Sequence, residues 1–221
     1  MTTRPVLMFA VFSAATVFLP ASASAATFYV DGPSQFMSQV NRLQSGDKVI
    51  VRGDGDYGAL DLYDRNFTRL THIRVNSGVG ATFDRINLTR CSNLRLTRVR
   101  VRPKTRTTAV YINGGHRVEI YSSDIAFAET SHDWTQNDWN SKTESGIRTT
   151  PSGTNHRFLY NTIHSVRHGI EIWSDSTLAR HNHINQFNGR AIRIFANQAK
   201  VYDNLITNNQ HTDGATVAIQ S

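Results

Sequence analysis

Ile147, Ile170 and Ile192 are each followed by a charged residue, and those residues are Arg148, Glu171 and Arg193. Set in register, they form an outward stripe on neighbouring parallel strands about 4.8 Å apart. An Arg, Glu, Arg stripe suits proton abstraction beside a carboxylate. The guanidinium forks neutralise a uronate carboxylate and acidify its α-proton, a base removes that proton, and the glycosidic oxygen departs by β-elimination. Histidine is the natural base at neutral pH. His164, His168, His181 and His183 all fall within two coils of the stripe, and His168, directly before Gly169, is the first choice, with His164 next. Tyr111, Tyr121 and Tyr160 are fallback bases. The same stripe also reads as a cross-strand charge ladder that needs no ligand, and spacing alone leaves both readings open.

Two other segments offer contacts to a sugar chain. From Ala126 to Ser145 a long polar insertion carries Trp134 and Trp139, two of the three tryptophans. Their rings either stack on sugars or pack the loop onto the scaffold. Asp133, Asp138 and Glu144 in the same segment are oxygen donors of the kind that Ca²⁺ takes, the only cofactor the sequence suggests. The second segment is a basic run of Arg85, Arg90, Arg95, Arg98, Arg100, Arg102, Lys104 and Arg106. Alternation with Val99 and Val101 puts Arg98, Arg100 and Arg102 on one outward face. That face is either a track for a polyanion or a solvated strand surface.

Several chemistries have no counterpart here. The chain has no phosphate-binding glycine loop, no dinucleotide fingerprint, no nucleophile elbow, and one cysteine, Cys91, so neither a cysteine zinc site nor an intramolecular disulfide can form. Hydrolysis by paired carboxylates needs acidic side chains at one repeat position, and Asp124, Asp175 and Asp203 do not share one.

The elements that must position these residues are short strands in a repeat. Ile73 and Val75, Leu94 and Leu96, and Val118 and Ile120 each enclose a polar residue, as expected of a strand with one buried face. Their starts lie 21 and 24 residues apart. Asn161, Asn182 and Asn204 recur at steps of 21 and 22, and the Ile147, Ile170 and Ile192 strands at steps of 23 and 22. Two motifs sharing one period predict a solenoid, an all-β right-handed parallel β-helix. The asparagines are expected to stack at a turn and bond from coil to coil. A strand at Thr27–Asp31 and an amphipathic helix at 34–43, with Phe36, Met37, Val40 and Leu43 on one side, are expected to cover the first coil.

These residues resemble the pectate-lyase-like superfamily, in particular its bacterial secreted members built from right-handed parallel β-helix repeats. The resemblance covers the chain from Thr27 onward. It is best over Asp138–Asn140 to Ser145–Ile147, then Tyr160–Ile163 and His168–Ile170. In the family a segment Asn-His-Asp-Asp-Gly often follows and ends in Gln-Ser. The corresponding stretch here, Asn209–Gly214 and Ile219–Ser221, replaces one acidic position and adds residues, a departure that weakens the case for calcium binding there.

The ends and the charge complete the expectations. Residues 1–25 have the charged start, apolar run and small residues of a secretory leader, cleaved before Ala26, which leaves 26–221 as one β-helix domain, secreted or periplasmic, with no membrane span. Leader removal takes Arg4 and leaves 23 basic residues against 17 acidic, nearly all of them Arg. That balance suits an acidic polysaccharide, and no nucleic-acid module is present. After the apparent strand Ala215–Ile219 no closing helix or polar cap follows, so the expectation is a shortened member or self-association through the open coil. Two functions stay open: a polysaccharide lyase-like or C5-epimerase-like enzyme on a uronate polymer, and a non-catalytic carbohydrate-binding or envelope-structural protein.

Overall fold

In the computed structural model, residues 24–207 and the backbone of the strand Val217–Ile219 are described. Residues 1–23 of the expected leader and the Asn209–Gly214 segment lie outside them. All paired strands run parallel and stack in three sheets. Each coil visits sheet 1, then sheet 2, then sheet 3, so the chain forms a parallel β-solenoid. Sheet 1 runs from Thr27–Val30 through Lys48–Val51, Asn66–Val75, Ser92–Thr97, Gly115–Tyr121, Arg157–Leu159 and Leu178–Arg180 to Lys200–Tyr202. Sheet 2 includes Arg100–Val101, Asp124–Ala126, Thr162–Val166 and His183–Phe187. Sheet 3 includes Ala59–Tyr63, Arg85–Thr89, Val110–Asn113, Ser145–Thr149, His168–Ile172 and Ile192–Ile194.

Alternation drives the packing. Alternate side chains of each strand point into the coil, and parallel register stacks like on like. In sheet 3 one inward column reads Leu60, Ile86, Val110, Ile147, Ile170 and Ile192, every member buried. In sheet 1 another reads Val49, Ile73, Leu96, Ile120, Phe158 and Ala179, where the bulk of Phe158 is followed by the smallest side chain. Each such burial is worth about 1.5–3 kcal/mol for the larger side chains. Of the expected 73 to 94 to 118 alignment the second step holds, Leu94 pairing with Val118, and the first is corrected. Ile73 lies beside Leu96 and Thr71 beside Leu94, steps of 23 rather than 21. A slip of two residues preserves which face is buried, so alternation alone could not detect it.

The turns hold the shape. Between sheets 1 and 2 the chain makes a two-residue corner whose first residue is left-handed, at Arg98, Ser122, Tyr160, His181 and Asp203. The second residue is Asn161, Asn182 or Asn204 in the later coils, and these form the expected ladder. Asn182 Oδ1 accepts from both the backbone N–H and the amide of Asn161, at 3.0 and 2.9 Å, and Asn204 Oδ1 does the same for Asn182. At the corner entering sheet 3, Gly146 and Gly169 precede the buried Ile147 and Ile170. A Cβ at Gly169 would lie 2.4 Å from the Ala191 carbonyl oxygen, so the corner is too tight for a side chain there.

The first helix spans Pro33–Arg42, one residue off the expected start and end, and buries Phe36 and Val40. The Phe36 ring packs 5.3 Å from both Tyr57 and Phe83. Within the long insertion, where a loop is expected, Gln136–Lys142 is helical. Its start is set by Thr135 and Asp138, which bond each other's backbone N–H in a capping box.

Candidate functional site

The register of the stripe is as expected: Arg148 pairs with Glu171, and Glu171 with Arg193. Its geometry is closed. Glu171 points outward yet is 2% exposed. Arg193 Nη1 donates to its Oε1 at 2.8 Å, Ser145 Oγ donates to its Oε2, and Arg148 Nε stands off at 3.9 Å. The rings of Trp173 and Phe195 stack 3.8 Å apart beside them, and the Arg193 guanidinium lies 4.8 Å over Phe195. A carboxylate held in this way clamps two cations.

The histidines separate. His164 and His183 lie on sheet 2, and His181 sits at the corner between sheets 1 and 2, stacked on Tyr160 at 4.8 Å. Of the four, only His168 is on sheet 3 with the stripe. Its ring packs against Gly189, and its Nδ1 accepts from the Arg190 N–H at 3.0 Å. Burial, with help from Arg193, Arg167 and Arg190 and against Glu171, pushes it down to about 4. It is therefore neutral at pH 7, with one nitrogen already occupied. His164 instead faces Asp124 at 3.4 Å. Burial alone would raise the Asp124 carboxyl, but hydrogen bonds from His164 and Arg102 outweigh it and hold the group at about 2.

The other candidates disperse. Trp139 is 2% exposed and meets Trp134 edge-on at 5.0 Å, so it belongs to the packing of the insertion and offers no ring face to a sugar. Trp134 is partly exposed, beneath Lys142. Asp138 serves the helix cap and Lys142, and Glu144 pairs with Arg106. Among the described residues, no group of three or more His, Cys, Asp and Glu is placed to hold a metal ion, and no helix is long and apolar enough to cross a membrane. The basic run does not form one track, because its members wrap round the coil. Arg85 on sheet 3 pairs with Asp61, Arg98 occupies the left-handed corner, and Arg100 and Arg102 lie at sheet 2, where Asp124 and Glu129 engage Arg102.

Two features escaped the sequence reading. One is a groove of about 350 Å³ on sheet 3, lined by Asn87, Thr107, Thr108, Tyr111 and Arg148 among others. Tyr111 and Arg148 are register partners there, and Arg148 is 42% exposed.

The second feature is the outer face of sheet 1. Lys48, Arg74, Arg95, Arg117, Arg157, Arg180 and Lys200 place a Lys or Arg on each of seven successive strands, with Arg69 a second on Asn66–Val75; Lys48, Arg95, Arg157 and Lys200 share one register position, and Arg74 and Arg180 share another two residues along. The one acidic residue on these strands, Glu119, is 1% exposed, bound by Arg95 at 2.6 Å and Arg117 at 3.2 Å. Among the described residues, Lys48, Arg74, Arg157 and Lys200 have no ion pair. His72, between Lys48 and Arg95 in register, is pushed down by burial and by those two cations. The signal was present: Arg157, Leu178 and Lys200 each stand four residues before a ladder asparagine. Counting back from Asn161, Asn182 and Asn204 aligns them.

Fold and surface together define a parallel β-solenoid with one strongly cationic face. Comparison of the chain with protein-family profiles, curated proteins and solved structures found no match.

Proposed function

We propose that this chain is an exported β-solenoid that binds an acidic polysaccharide along the outer face of sheet 1. The observation that carries the reading is a sheet face with a Lys or Arg on each of seven successive strands, whose single carboxylate is buried under two arginines. Coils repeat at about 4.8 Å, comparable with the advance of one pyranose unit along an extended chain, so a linear polyanion lying along the axis meets a new cation at each coil. Purified protein is titrated with polygalacturonate, alginate, heparin and a neutral dextran at rising salt. Binding to an acidic polymer that weakens with salt, and none to dextran, is the expected result. Equal affinity for dextran would overturn it.

A second reading, β-elimination, is favoured by the sheet 3 groove. Arg148 is only loosely held by Glu171 and shares the groove with Tyr111. In this reading Arg148 receives the uronate carboxylate, and Tyr111 stands nearby as the base in place of a histidine. The test is the ultraviolet absorbance of unsaturated uronate. A rise that disappears in both Arg148→Ala and Tyr111→Phe supports the enzyme, and no rise with any acidic polymer removes the lyase.

A further inference from the structure

We infer that Arg157, Leu178 and Lys200 form a discrete subsite for two carboxylate-bearing units of an extended acidic polysaccharide, with a pyranose ring laid over Leu178. The inference rests on the acidic-polysaccharide reading above and names the place where its contacts concentrate. The three residues are consecutive register partners on sheet 1, so the two cations stand two coils apart, roughly 10 Å, with an aliphatic side chain between them. They line a groove of about 270 Å³ together with Asn155, Ser176 and Gln198. Those three polar residues form the wall on one side. All have left-handed backbones at the turn entering sheet 1, and Ser176 Oγ donates to Gln198 Oε1 at 3.2 Å, which fixes the wall.

The chemistry of the lining selects the ligand. Arg157 and Lys200 have no ion pair among the described residues, whereas Arg95, Arg117 and Arg180 on the same face are each bound to a carboxylate. Uncompensated cations flanking an apolar patch suit a ring whose C–H face is apolar and whose acid groups project from its ends. In an extended chain with two-fold character every second unit turns its carboxylate toward the sheet, which matches cations on alternate coils. Sequence-tolerant binding of single-stranded nucleic acid uses aromatic platforms for the bases, and no aromatic residue lines this groove.

The test is binding of a fluorescent oligogalacturonate to the wild type, the single variants Arg157→Ala and Lys200→Glu, and the double variant Arg157→Ala/Lys200→Ala. Arg52→Ala, on an exposed ion pair elsewhere, is the control, and thermal melts verify folding. Each loss of a cation is expected to weaken binding roughly tenfold, with the control unchanged. Wild-type binding that the double variant retains overturns the subsite while leaving the broader reading intact. No binding of any acidic oligosaccharide by the wild type overturns both. Single-stranded DNA bound as tightly as the oligogalacturonate, with the same loss in the variants, overturns the carbohydrate assignment.

Discussion

Glu119 and Glu171 occupy equivalent places on different faces of the solenoid. Each points out of its sheet, each is at most 2% exposed, and each lies in register between two arginines, Arg95 and Arg157 for the first, Arg148 and Arg193 for the second. Asp124 on sheet 2, held by Arg102 and next to His164, is a looser version of the same device. A feature that recurs on every sheet reads as a way of joining coils. That is why the stripe at Glu171 carries less functional weight in the structure than it does in the sequence.

If these carboxylates are joints, removing either one leaves two partly exposed arginines without their shared partner. Glu171→Ala and Glu119→Ala are each expected to destabilise the fold by about 1–2 kcal/mol, since water can reach the arginines left behind, measured by urea unfolding. Glu171→Ala should leave the binding of acidic polymer on sheet 1 intact, and loss of binding in a folded Glu171→Ala protein would place the site on sheet 3 instead.

The asparagine ladder gives a graded expectation. Asn182 is bonded on both sides: it accepts from Asn161, and it donates to Asn204 and to the Phe158 carbonyl oxygen. Asn182→Ala strands several buried polar groups and should cost about 2–4 kcal/mol. Asn204→Ala removes as many bonds, but from a partly exposed position where water can replace them, and should cost less. Equal midpoints in urea for the two variants would contradict the ladder.

Acid should weaken the fold well above the carboxylate range. His156 is fully buried, its Nδ1 accepts from the Val118 N–H, and burial, with His116 adding to it, pushes it down to about 4. Above pH 6.5 it is neutral folded and unfolded, and contributes no pH dependence. Between 6.5 and 4 the unfolded chain takes up a proton that the folded chain refuses, so stability falls as the pH falls. The total loss is about 3 kcal/mol for this group, and His168 acts in the same window. Urea midpoints measured from pH 7 to 4 should drop, and the drop should be shallower in His156→Gln. An unchanged slope in that variant would assign the acid sensitivity elsewhere.

The sequence by itself determined the period, and the period determined most of the fold. Asn161, Asn182 and Asn204 are neighbours only if one coil takes 21 or 22 residues, and the buried Ile147, Ile170 and Ile192 follow the same count. Parallel stacking turns such a count directly into register, so the partners of Arg148, Glu171 and Arg193 were readable in advance. Direction around the coil was not. His164, His168 and Arg148 are close in repeat number, yet corners divert His164 to sheet 2 and leave the other two on sheet 3. Nor does the sequence reveal charge balance. Arg98, Arg100 and Arg102 look like a track until Asp124 and Glu129, 22 and 27 residues beyond Arg102, fold back against it. The outer surface is set by contacts between successive coils, and only the folded chain decides which charges meet and which stay open to a ligand.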